Sequence, residues 1–347
     1  MEFKVIYLAS CEIILIINPF FIYNLFKRLK GGAMNLQVEK REMTGGKVTL
    51  LKQYLKNKDL FVMLIPVLLY YICFCYIPMG GIVIAFKDYK LMKGIGGSPW
   101  VGVDNFIELF TTPSFYEILG NPLWISILRL LFGFPAPILL ALLLNEVRSA
   151  RYKKTVQTIS YLPHFLSWVI LTGVFQQLLS PSTGVVNALL GKFGIEPIYF
   201  LGSPKWFVFT IIFTGVWQSA GWGTVIYLAA IAGIDPQMYE AAMLDGAGRM
   251  KRILYITLPS LAPTITITLI LSTGNILNAG FDQIMNMYNE AVYEVGDIID
   301  TYVYRRGLEG MQYSYSTAVN LFKNVIGLGF VLITNKIAQK LGDSSLW

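Results

Sequence analysis

The residue types that usually carry catalysis and metal binding are scarce in this chain. His164 is the only histidine, and the three cysteines, Cys11, Cys73 and Cys75, all sit inside apolar runs. A paired-histidine zinc motif is excluded, a histidine-based triad has no support, and Cys73-Phe74-Cys75 would turn its two thiols to different helix faces. His164 itself reads as an ordinary polar residue near the end of an apolar run. No G-x-x-x-x-G-K-[ST] string occurs, and the nearest, Gly45-Gly46-Lys47, runs into Val48 without the spacing a phosphate loop needs. The chain therefore offers no catalytic residue, no metal set and no nucleotide loop of its own.

What it does offer is binding chemistry in unusual places. Asn275, Asn278, Asp282 and Asn286 recur at spacings of three, four and four within an apolar run. On one ideal helix they share an arc of roughly 80°. Such a stripe must face a cavity or a partner helix, because lipid leaves an amide without hydrogen bonds. It reads either as a path for a hydroxyl-rich substrate or as interhelical glue. Trp217, Gln218 and Trp222 lie in the middle of another apolar run, where an indole beside an amide suits sugar stacking or simple packing. Two cations, Arg129 and Lys323, also fall in apolar runs, and each costs about 2.5–3.5 kcal/mol at a bilayer centre unless paired or reaching outward. Lys323 is expected to reach the outer interface, and Asp282 is a candidate partner for either cation.

A third feature lies between apolar runs, over 234–259. Asp235-Pro236 is a helix start, an N-cap followed by the ring that fits the first helical position. Glu240, Ala241, Ala242, Met243 and Leu244 are strong helix formers, and Gly246 lets the chain turn before Ile253, Ile256 and Leu258-Pro259. A helix of about ten residues is marginal alone in water and needs a partner surface or its own bundle to hold it; on the residues alone it also reads as an ordinary loop helix.

The elements that hold these residues follow from composition. Hydrophobic residues make up 55% of the 347-residue chain and charged residues only 14%, with a mean hydropathy of +0.56. A soluble domain carries about 25% charge, so this chain belongs in a bilayer. Six stretches reach the roughly 20 residues a span needs, near 60–84, 123–145, 160–180, 206–232, 261–283 and 317–337. Lys and Arg collect before the first span, in the second-to-third loop (Arg148, Arg151, Lys153, Lys154), in the fourth-to-fifth loop (Arg249, Lys251, Arg252) and in the tail (Lys336, Lys340). By the positive-inside rule these segments and the C-terminus face the cytosol. The net charge of +7 then reports topology and contact with anionic lipid, not nucleic acid.

The chain divides into a hydrophobic extension over 1–33, a basic cytosolic segment over 34–59, a six-span domain over 60–341 and a cytosolic tail over 342–347. Val5 to Phe26 is apolar enough for a seventh span. The alternative is that translation begins at Met34, since Lys30-Gly31-Gly32 is what a ribosome-binding string would encode just upstream of it. A cleaved signal peptide does not fit, because the basic cluster follows the apolar core.

At this point the sequence resembles a known family. Glu240-Ala241-Ala242, Asp245-Gly246-Ala247 and the downstream Ile256, Leu258 and Pro259 are similar to the EAA loop of permeases in binding-protein-dependent ABC importers. Ile84 to Tyr89, Ser98-Pro99-Trp100-Val101-Gly102, Ser160-Tyr161-Leu162-Pro163-His164-Phe165, Thr301 to Gly307 and Ser345-Leu346-Trp347 resemble the LplB-like carbohydrate branch. The likeness covers nearly everything from about residue 50. It implies an all-α membrane protein with a six-transmembrane-helix permease bundle in a bacterial plasma membrane, importing an oligosaccharide by alternating access.

The resemblance also implies partners. Glu240, Ala241, Ala242, Asp245 and Gly246 would contact one of two cytosolic ATPase subunits, which bind ATP and Mg in this chain's stead. A second, different permease would complete the bundle, and an extracytoplasmic binding protein would dock on loops 86–122 and 284–316. Two rival classes remain on the residues alone. A membrane-embedded enzyme would need convergent ligands that are missing, and an ATP-independent channel or ion-coupled carrier would need no exposed coupling helix and could show inverted repeats.

Overall fold

A computed structural model describes residues 58–341, with side chains from 62 to 340. The proposed seventh span and the basic segment before residue 58 lie outside the described residues, as does the tail from 342. Apart from one isolated antiparallel bridge between Lys87 and Trp100, the described residues form helices, turns and loops.

The chain separates into two units at Val103. In the first, α1 (Lys58–Tyr71) continues through a wide turn at Ile72–Tyr76 and a tight one at Gly80–Phe86, so that Val62–Phe86 forms one apolar stretch of 25 residues. After it, Phe86 stacks on Trp100 with ring centres 5.9 Å apart, closing the segment that follows.

The second unit begins with α2 (Asp104–Thr111), α3 (Ser114–Gly133) and α4 (Pro135–Glu146). Pro135 sits at the first position of α4, where its missing N–H costs nothing, so α3 and α4 make one apolar stretch of 33 residues. Next come α5 (Ala150–Tyr161), α6 (Trp168–Leu178), α7 (Val185–Lys192) and the 29-residue α8 (Pro204–Ala232). Two short helices, α9 (Pro236–Leu244) and α10 (Arg249–Arg252), precede α11 (Leu258–Gly274). The unit closes with α12 (Phe281–Met287), α13 (Ile299–Tyr304) and the 29-residue α14 (Tyr313–Leu341).

Three apolar clusters join these helices. Ile125, Phe207, Ile211, Ile284, Met287 and Ile298 bring α3, α8 and α12 together. Leu109, Phe115, Leu277, Ile299 and Val319 gather α2, α3, α13 and α14, and Ile138, Ala141, Tyr227, Ile231 and Leu261 join α4, α8 and α11. Between helices in lipid such clusters hold by close packing, since lipid tails are as apolar as the side chains.

Two spans differ from the expectation of straight rods. Residues 160–180 do not form one helix: Ala150–Phe165 and Trp168–Leu178 meet at 103°. The cause is local, because Leu166 and Ser167 are extended and Ser167 starts a new helix, its Oγ accepting from the N–H of Ile170 at 3.4 Å. The expected span 261–283 also breaks. α11 ends at Gly274, residues 275–280 make turns, and the chain restarts at Phe281 after Ala279 and Gly280, both at positive φ (43° and 79°).

By length and apolarity, four helical stretches among the described residues can cross a membrane, or five if the bent pair counts as one. At 1.5 Å per residue α8 is long enough too. Its central Trp217-Gln218-Ser219 and its glycines make it less apolar, and it packs along α3, α4 and α5.

Candidate functional site

The centre of the second unit holds a cavity of about 590 Å³ between α3, α4, α8 and α11 and the turns at 275–280. That is a usual size for a small-ligand site. Hydroxyls and amides face it from Ser126, Ser219, Thr268, Ser272, Thr273, Asn275 and Asn278. One wall is aromatic: the His164 imidazole lies parallel to the Trp222 indole, centres 5.1 Å apart and planes 3° off. His164 gets there because the bend after Phe165 carries the end of the preceding helix against α8, and its Nδ1 is buried without a partner.

The sequence candidates divide here. Trp222, Asn275 and Asn278 line the cavity. Trp217 instead packs edge-on against Phe175 on α6, and the Gln218 amide reaches the His164 carbonyl at 3.5 Å. The stripe Asn275, Asn278, Asp282 and Asn286 is not a stripe, because the helix it needs stops at Gly274. Asn278 donates to the Asn275 side chain at 2.8 Å within the turns, while Asn286 donates to the Asp282 carbonyl at 2.7 Å on α12. Asp282 is exposed and pairs with neither intramembrane cation.

Those cations find other partners. Lys323 does not reach outward: only 5% of its side chain is exposed, and it pairs with Asp300 on α13. Arg129 stands near the middle of the Ser114–Glu146 stretch. Its Nη2 donates to Gln283 Oε1. Gln283, buried on α12, is held in turn by donating Nε2 to the Ile211 carbonyl and to Thr214 Oγ1, both at 2.8 Å. The guanidinium lies against Gly280, where an added Cβ would strike it. Sequence reasoning passed over Gln283 because it falls off the three-four-four spacing of its neighbours.

A second site lies at 234–259. Asp235 caps α9 by accepting from the N–H of Gln237 at 2.9 Å, with Pro236 at the first helical position. At the far end the Ala247 N–H bonds the Ala242 carbonyl at 2.8 Å and the Gly246 N–H the Met243 carbonyl at 3.1 Å. This is a Schellman stop, and it requires the left-handed residue that Gly246 supplies at φ 77°. No residue of α9 is buried; Met238, Met243 and Leu244 are exposed, Leu244 by 89%. Glu240, Ala241 and Asp245 are exposed as well, and Ala242 is partly covered. Tyr239 Oη and Thr257 Oγ1, 2.9 Å apart, tie α9 to the foot of α11, and Arg249 approaches Glu146 at 3.9 Å.

A bent, broken helical bundle with a polar cavity at its centre and an unburied helix at one end defines a multi-pass membrane permease. The profile of the family described as "Binding-protein-dependent transport system inner membrane component" matches residues 133–281, which include α9 and most of the cavity. The chain is 48% identical over 298 residues to the polygalacturonan/rhamnogalacturonan transport system permease protein YteP of Bacillus subtilis (strain 168), covering 86% of this chain and 93% of that one. It is 45% identical to protein LplB of the same organism, covering 88% and 96%.

Among solved structures it superposes on a chain of a bacterial ABC transporter involved in import of the acidic polysaccharide alginate, with a TM-score of 0.77 and 44% identity over 84% of this chain and 98% of that one. A second structure of a bacterial alginate transporter, in complex with its pentasaccharide-bound periplasmic protein, gives 0.78 and 43% over 86% and 99%. The chain belongs to the permease family of binding-protein-dependent ABC importers, in the branch that includes LplB; it is a transporter subunit and not an enzyme.

Proposed function

We propose that this chain, with a second and different permease, forms the membrane path of an importer that brings an oligosaccharide into a bacterial cytoplasm. One observation carries the assembly: α9 is a nine-residue helix with well-formed ends, no buried residue and three exposed apolar side chains. A helix that short gains its stability from a surface it packs on. Two cytosolic ATPase subunits supply that surface, with Glu240, Ala241, Ala242, Asp245 and Gly246 at the contact and ATP and Mg bound in the ATPases. The loop and the C-terminus then face the cytosol, in agreement with the clustered Lys and Arg.

The saccharide cargo is supported by the hydroxyl- and amide-lined cavity, by the Trp222 face within it and by the cargo named for two relatives. A binding protein delivers the sugar to the outer loops at 86–122 and 284–316. Closure of the ATPases on ATP favours the outward-open bundle and hydrolysis releases it, because a ligand moves an equilibrium only by preferring one state. Purification of the tagged chain from cells that co-express the neighbouring transport genes tests the assembly. Recovery of an ATPase, a second permease and ATP-dependent oligosaccharide uptake in vesicles is expected; a homomer active without ATPase would overturn it.

A further inference from the structure

Arg129 is a charge within an apolar stretch for which the described residues supply no counter-ion. The ion pairs of the described residues in the second unit join Glu146 with Arg249, Asp297 with Arg305, Glu108 with Arg306 and Asp300 with Lys323, and none includes Arg129. Its one hydrogen bond goes to the neutral Gln283 amide, and its Nε is buried without a partner. Gln283 is fixed from the other side by α8, so it orients the guanidinium without neutralising it. Gly280 and Gly215 border both the guanidinium and the cavity, and neither offers a side chain that would cover the fork. Among the described residues no Asp or Glu lines the cavity.

A guanidinium without a counter-ion at the cavity wall is suited to an anion, and the anion its planar fork fits best is a carboxylate, taken by two parallel hydrogen bonds. The rest of the lining defines what carries that carboxylate. Asn275, Asn278, Ser272 and Ser126 suit hydroxyls, and the exposed Trp222 face, backed by His164, suits the apolar face of a pyranose ring. We propose that Arg129 receives the carboxylate of a hexuronate unit in the cavity, making it the residue by which this permease prefers acidic over neutral oligosaccharides. Gln283 is the positioning residue. The inference rests on the saccharide-importer reading and adds to it the charge of the cargo and the group that reads it.

The test uses the complete importer, with both permeases, the ATPases and the binding protein, in proteoliposomes. Hexuronate trisaccharides and their methyl esters, which keep the sugar and lose the charge, are compared as cargo. Arg129→Gln is expected to lower uptake of the acid forms at least tenfold and of the esters less than twofold, with parental yield of assembled complex. Arg129→Lys keeps the charge without the fork and should fall between. Equal losses for both forms, parental uptake of the acids by Arg129→Gln, or loss of the second permease from its complex would overturn the proposal, the last by showing that Arg129 pairs with protein. A parental importer that carries neutral oligosaccharides and esters as well as acids would also sink it, yet leave the saccharide reading standing. One that carries no saccharide would remove that reading itself.

Discussion

Lys323, eleven residues into α14, is bonded to Asp300 in the first turn of α13, and both side chains are withdrawn from solvent, 5% and 17% exposed. Next to this pair Asp297 holds Arg305 and accepts from Thr301 Oγ1 at 2.7 Å. The segment entering the last span is thus fixed at two ionic points, one into α14 and one within itself.

Burial raises the carboxyl pKa of Asp300 above its ordinary value, and Lys323 pulls it back down. Lys323→Met removes the restraint, and leaving a buried charge unpaired costs about 3–5 kcal/mol. The sign follows from linkage: a carboxyl whose folded pKa lies above the unfolded one stabilises below the unfolded pKa and loses that contribution as pH rises through the folded one. Thermal midpoints of the purified complex should therefore fall for Lys323→Met as pH rises from 5 to 8, more steeply than for the parent. The double change Lys323→Met with Asp300→Asn should flatten the dependence; an unchanged slope would show that the pair does not govern it.

Gly246 is required by its backbone. At φ 77° a β-branched side chain is strained by about 1–3 kcal/mol, whereas no atom lies within 4 Å of the place a Cβ would take. Gly246→Val should therefore unmake the stop of α9 and sharply reduce uptake and cargo-stimulated ATP hydrolysis, or uncouple them, without changing insertion. Gly246→Asn, which tolerates the left-handed region, should keep most of both. Glu240→Ala should act mildly, since an exposed carboxylate forfeits a contact without introducing strain. Equal activity of the Val and Asn variants would mean that this turn does not transmit the motion.

The ends of α9 were legible in the sequence because they are local: Asp235-Pro236 and Gly246 act within a turn of themselves. The break between α11 and α12 was not. Asn275 to Ala279 keeps a helical rhythm, and an alanine at φ 43° leaves no trace in residue type. The bend at 103° was hidden likewise, since Leu166 and Ser167 are extended inside an apolar run. Partners across the bundle were beyond reach for a different reason. Lys323 and Asp300 are 23 positions apart, and Arg129 and Gln283 154, so only packing brings them together. Composition showed that both cations lie in apolar runs but could not say what meets them.

Gly280 carries two constraints at once. Its φ of 79° suits glycine, and a Cβ there would run into the Arg129 guanidinium. Gly280→Ala should therefore reduce transport at least tenfold by displacing Arg129 and straining the restart at Phe281. Gly94→Ala, at φ 63° with nothing within 4 Å, has the backbone cost alone and should lose far less. Uptake rates per assembled complex decide this, and comparable losses would show that backbone strain, not the collision, is what matters.

The last prediction concerns Asn275 and Asn278, which now stand in turns at the cavity instead of along a helix. Asn278 spends one amide proton on the Asn275 carbonyl oxygen at 2.8 Å, and Asn275 donates weakly to the Leu271 carbonyl at 3.5 Å. Donors and acceptors are left over on both amides for cargo hydroxyls. Replacing both by Leu keeps the branched outline, adds bulk and removes every polar side-chain atom, so two effects are in competition. If the amides serve cargo, each lost neutral hydrogen bond is worth about 0.5–1.5 kcal/mol, and the pair should raise the half-saturating concentration of the delivered sugar or lower its uptake roughly five- to a hundredfold. If they serve the second permease, that subunit should instead be lost from the purified complex while the remaining importers transport normally. Uptake and subunit stoichiometry measured on the same preparation separate the two. Parental values for both would take Asn275 and Asn278 out of the path and leave Trp222 and Arg129 as the remaining candidates for contact with the sugar.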